Sequence, residues 1–104
     1  MTSNNSFRKK RTKEELIACI LSGANNGASK THIMYSSYLS FPQLQKYLTF
    51  ALEAELLTVE NNRYIITGKG LEFVRHFEEL QKIKKSIAEK RRTLDDLIKN
   101  DSKE

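Results

Sequence analysis

The chain has 104 residues, a net charge of +5, one cysteine and no tryptophan, enough for one compact domain with a small core and a further element. No apolar run approaches the roughly 20 residues that cross a bilayer, and the start, MTSNNSFRKKRTK, lacks the apolar stretch of a secretory signal. Cys19 is alone, which excludes an internal disulfide and a cysteine metal cluster. A cytoplasmic protein without a metal or other cofactor is expected.

The charge is unevenly distributed. Arg8, Lys9, Lys10, Arg11 and Lys13 precede the first acid, Glu14, and account for the whole excess. Residues 1–11 read as a disordered basic arm, because a segment without apolar partners cannot pack. Its four cations, with Lys13 at the border as a fifth, suit contact with phosphates and release of counterions.

A first helix begins at the capping box Thr12 to Glu15 and carries Leu16, Ile17, Ile20 and Leu21 at helical spacing to about Gly23. After the turn cluster GANNGAS, Ser29 caps a short second helix with Ile33 and Met34 as its apolar residues. Tyr35 and Tyr38 read as core or groove-edge packing. Ser40 to Gln43 is a second capping box with Pro42 in the first turn, and a third helix runs to about Glu55 with Leu44, Tyr47, Leu48, Ala51 and Leu52 as its apolar stripe. Gln43, Gln45, Lys46 and Thr49 are left towards solvent, with chemistry suited to base edges in a duplex groove. These helices outline a helix-turn-helix.

Leu56 to Val59 and Tyr64 to Ile66 are strand-like runs around Asn61 and Asn62, which tolerate positive φ, so a hairpin is expected. Asn61, Asn62 and Arg63 at its tip suit a phosphate or the minor groove. The following TGKG is not a phosphate loop, which needs GxxxxGK and then Ser or Thr. Gly70 precedes Leu71, and Thr67 is placed to cap the next helix. Residues 12–68 therefore read as a winged helix-turn-helix domain, mostly α with a small β-hairpin.

Residues 69–100 form a long helix, followed by a tail at 101–104. Phe73, Leu80, Ile87 and Leu94 stand seven apart, Phe77, Ile83, Leu97 and Ile98 fill in between, and Lys84 and Arg91 interrupt. A domain this small cannot cover that stripe, so a partner helix is expected, making these residues a dimer interface. The acids Glu78, Glu79, Asp95 and Asp96 have no pocket around them and read as partners of Lys and Arg rather than an acid–base pair. His32 and His76 lack a second ligand at metal spacing and read as surface or packing residues.

This order of elements, with Lys30 to Tyr35 (KTHIMY), Leu39-Ser40 and Tyr64 to Gly70 (YIITGKG), resembles a family of small archaeal winged-helix DNA-binding proteins. They are nucleoid-associated or regulatory proteins that dimerise through a C-terminal antiparallel coiled coil. The resemblance covers about Lys13 to Asn100. It implies a homodimer that binds double-stranded DNA without catalysis, with Lys30 and Thr31 near backbone phosphates, the third helix near the major groove and Arg63 at the wing. One departure is that the third helix offers Lys46 alone as a base and carries Glu53 and Glu55 near its end. A second reading therefore stays open: a winged-helix protein–protein interaction module with a coiled-coil scaffold.

Overall fold

The structure is a computed structural model and describes residues 11–102. It contains α1 (Lys13–Gly23), α2 (Lys30–Ser37), α3 (Phe41–Glu53), β1 (Leu57–Glu60), β2 (Arg63–Ile66) and α4 (Gly68–Ser102). The chain divides into two compact units between Val74 and Arg75.

Each short helix starts where its sequence provides a hydroxyl. Thr12 accepts from the Glu15 amide while Glu15 reaches back to the Thr12 N–H at 2.8 Å, and Ser40 and Gln43 repeat the arrangement on α3. Ser29 does the same for α2 by accepting from His32 N–H. These caps satisfy amides that the helix cannot pair internally. The helices α1, α2 and α3 pack around Ile20, Leu21, Ile33, Leu44 and Leu48, all essentially without solvent contact.

α3 stops through a Schellman arrangement: Leu56 N–H donates to Ala51 O, Glu55 N–H donates to Leu52 O, and Glu55 takes φ 63. The chain then enters an antiparallel hairpin in the register Leu57 with Ile66 and Glu60 with Arg63. Asn61 and Asn62 both have positive φ (50 and 63), as a two-residue I′ turn requires. β2 is paired on its other side as well, because Ala28 and Tyr64 exchange backbone hydrogen bonds of 3.0 and 2.7 Å. That bridge ties the α1–α2 loop to the wing.

TGKG is the junction to α4. Thr67 Oγ1 accepts from the Gly70 N–H at 3.0 Å and donates to Glu55 O at 2.7 Å. A Cβ on Gly70 would collide with Leu56 O and lie 2.7 Å from Ile66 Cγ1, whereas Gly68 faces open space. The close approach is therefore needed at Gly70 alone of the two. Phe73 and Val74 pack, half-buried, against the core of the first unit. Phe73, expected in the dimer seam, is thus engaged within the first unit.

Beyond Val74, α4 leaves Leu80, Ile83, Ile87, Leu94, Leu97 and Ile98 between 44% and 66% exposed, with Phe77 half-buried. No helix among the described residues is long and apolar enough to cross a membrane.

Of the two placements expected for Tyr35 and Tyr38, core or groove edge, exposures of 71% and 87% exclude the core. With eight residues, α2 turns one face inward, through Ile33 and Ser37 four apart, and the tyrosines fall outside that face.

Candidate nucleic-acid interface

The capping box at Ser40 fixes where α3 begins, and Leu44, Leu48 and Ala51 fix which side it buries. Gln43, Gln45, Lys46 and Thr49 remain exposed together on the other side. Gln43 Oε1 accepts from the Ser40 N–H in the capping box, and the remaining side-chain donors and acceptors of this face have the chemistry to meet base edges or phosphates.

The cations around this helix come largely from other elements. Lys13, at the start of α1, places its ammonium 3.9 Å from the centre of the Phe50 ring on α3. Lys30, at the start of α2, lies 4.9 Å from the Phe41 ring, and Lys46 lies 5.3 Å from its neighbour Tyr47. A ring face attracts an ammonium by its quadrupole, worth roughly 0.5–1 kcal/mol at an exposed site. That is enough to bias the long side chains towards α3 without immobilising them. The single base on α3 is thus supplemented by two ammonium groups from other elements that rest on the rings of this helix, contacts that no sequence spacing signals.

A second cluster forms at the start of α2. Asn25, Ser29, His32 and Arg63 line a cleft of about 380 Å³, and Arg63 Nη1 reaches Gly27 O at 3.5 Å. Lys30 and Thr31 occupy the first turn of the helix that opens there. The Ala28–Tyr64 bridge brings the wing and this helix start together. His32, which sequence reasoning set aside as surface or packing, belongs to this cluster; no sequence spacing signals that.

Not every expected cation is available in this way. Arg11 Nη2 donates to Ser37 O at 2.9 Å and to Tyr38 O at 3.4 Å, and its Nη1 lies 3.5 Å from Cys19 Sγ. The guanidinium therefore closes the C-terminal end of α2, where helix carbonyls lack internal partners, instead of continuing an open arm. Lys69 Nζ donates to Ala54 O at 2.8 Å and closes α3 in the same manner. Arg8, Lys9 and Lys10 lie outside the described residues. Asn61 and Asn62 are exposed at the wing tip with their backbone committed to the turn.

Three helices, a capped polar third helix and a hairpin paired to the α1–α2 loop together define a wing and a helix-turn-helix. The winged helix-turn-helix family model matches residues 10–85. The chain belongs to the winged helix-turn-helix family.

Among solved structures, this winged helix-turn-helix chain is similar to Sso10a-2, a DNA-binding protein from Sulfolobus solfataricus. The TM-score is 0.75 at 27% identity, covering 84% of this chain and 96% of the other. It also superposes on MepR, a transcription regulator of the Staphylococcus aureus multidrug efflux pump MepA, with a TM-score of 0.58 over 86% of this chain and 70% of that one. At 11% identity the second likeness shows the fold alone. No curated protein sequence matches the chain. The archaeal resemblance read from KTHIMY and YIITGKG agrees with the first structure.

Proposed function

We propose that the protein is a homodimer that binds double-stranded DNA on the nucleoid, as a transcription regulator or a chromatin-type architectural protein. The observation that carries the reading is the exposed polar face of α3, which bears Lys46, together with the Lys13 and Lys30 ammonium groups that rest over Phe50 and Phe41 of the same helix. Three ammonium groups around a helix that presents Gln43, Gln45 and Thr49 match a groove bordered by phosphates. The cleft at Arg63 and the start of α2 suits a neighbouring backbone phosphate, since unpaired amides and the helix dipole favour an anion there. Sso10a-2, a DNA-binding protein of the same fold at 27% identity, supports the same reading. The exposed apolar stripe from Leu80 to Ile98 supports dimerisation through α4.

The test is equilibrium binding of the full chain to random and genomic duplex fragments across a salt series. Affinity should fall linearly in log–log form, with a slope of about −0.9 for each phosphate neutralised. Equal affinity for all fragments would select the architectural role, and strong preference for particular fragments the regulatory one. Absence of duplex binding at low salt would overturn the proposal and favour a protein-interaction module.

A further inference from the structure

Tyr38 holds a conformation that its side chain makes unfavourable and gains no burial in return. Its backbone lies at φ 56, ψ 45, in the left-handed region where a Cβ crowds the following carbonyl and glycine is the usual helix-ending residue. The bonds that end α2 here, Tyr38 N–H to Tyr35 O and Leu39 N–H to Met34 O, use the backbone alone. Glycine could make them at lower cost. The ring is 87% exposed, so packing does not offset the strain.

The surroundings indicate what the side chain meets. Tyr38 stands two residues before Ser40, the cap of α3, and its carbonyl accepts from Arg11. The rings of Tyr35 and Phe41 are also exposed at this turn, and the Lys30 ammonium lies over Phe41. A phenolic donor at the turn before α3, whose first residue Phe41 carries the Lys30 ammonium over its ring, complements an anion, and a hydroxyl donating to a phosphate oxygen makes a short charge-assisted hydrogen bond.

We propose that Tyr38 is a DNA-backbone contact, its hydroxyl donating to a phosphate beside the start of α3, with Arg11 fixing the turn from which the ring projects. The proposal rests on the duplex-binding reading above and adds a residue to it. Strained backbone kept at an exposed position is a mark of functional sites.

The experiment compares the full-length parent with Tyr38→Gly and Tyr38→Phe, by thermal melting and by titration of one random duplex. Tyr38→Gly should raise Tm by about 2–5 °C, from relief of the left-handed strain net of the entropy of glycine. It should also weaken duplex binding about tenfold, the loss of one hydrogen bond to a charged group. Tyr38→Phe should keep the parent's Tm and lose similar affinity. In both variants the slope against log salt should match the parent, because no charge is removed. Parent-like affinity in either variant, or a lower Tm in Tyr38→Gly, would overturn the Tyr38 contact while leaving duplex binding intact. A parent that fails to bind duplex would instead overturn the underlying reading.

Discussion

A guanidinium whose donors already meet two carbonyls gains little from a phosphate, and this separates Arg11 from the bases around it. Its bonds to Ser37 O and Tyr38 O hold the start of the chain's described part against the end of α2. Arg11→Gln should therefore lower unfolding free energy by about 1–2 kcal/mol, the scale of a charged hydrogen bond at a half-buried site. The salt slope of DNA binding should change by much less than the ~0.9 that loss of a phosphate contact produces. A stable variant with a slope flattened by that full amount would return Arg11 to the phosphate-contacting arm. Lys46 is the opposite case, exposed and beside Tyr47 in its own helix. Lys46→Glu should weaken duplex binding at least about tenfold, as expected when a favourable charge contact is reversed, with Tm unchanged. Equal binding by Lys46→Glu would remove α3 from the groove and favour a protein partner. Sequence could identify Lys13, Lys30 and Lys46 as bases, but not that the first two lean on Phe50 and Phe41. Those pairs are made by the packing of α1 and α2 on α3, which no local spacing encodes.

At the level of elements, what was legible in the sequence was local. Thr12–Glu15, Ser29 and Ser40–Gln43 announce helix starts because a cap involves residues three apart, and Asn61-Asn62 announces the turn because both need positive φ. What was not legible is tertiary. The partner of β2 on the edge away from β1 is the single residue Ala28, and Phe73 continues the heptad pattern of α4 while packing into the first unit. Gly70 shows how the two levels compete. Alanine in the first turn of α4 would gain up to about 1 kcal/mol in helix propensity, but its Cβ would collide with the Leu56 carbonyl, a backbone atom that cannot swing aside. Overpacking of this kind costs about 1–3 kcal/mol or more. Gly70→Ala should thus be net destabilising by roughly 1–2 kcal/mol, whereas Gly68→Ala, facing open space, should be neutral or stabilising. Urea unfolding of the two variants side by side checks the order. A Gly70→Ala protein as stable as its Gly68→Ala counterpart would show that the junction relaxes.

For the molecule as a whole, the proposed dimer turns on whether a second α4 covers the exposed stripe from Leu80 to Ile98 and in which direction. Burying six large aliphatic side chains that are now about half exposed or more would contribute several kcal/mol per chain, at 1.5–3 kcal/mol for each full burial. A second copy of α4 presents the same stripe and can cover it by knobs-into-holes packing. Charge order decides between the two directions. Lys82, Lys84, Lys85, Lys90, Arg91 and Arg92 face Glu89 as the acid among them, and Glu78, Glu79, Asp95 and Asp96 flank this basic segment. A parallel pair in register would set base against base over that length, where like charges repel. An antiparallel pair crossing near Lys85 and Ser86 instead sets Glu79 beside Arg92 of the partner subunit and Phe77 beside the partner's Leu94. In a Cys19→Ser background, Ser86→Cys should oxidise readily to a crosslinked dimer, because the two sulfurs would meet at the crossing. Glu72→Cys should remain monomeric on a denaturing gel, since its antiparallel counterpart would lie about 40 Å away at helical rise. Efficient crosslinking at both positions would establish a parallel pair, and crosslinking at neither would reject a crossing at Ser86. Analytical ultracentrifugation of Ile83→Glu should meanwhile report a monomer, because a carboxylate in the middle of the stripe is left without water or a partner on pairing. A dimer that persists there would place the subunit contact off α4.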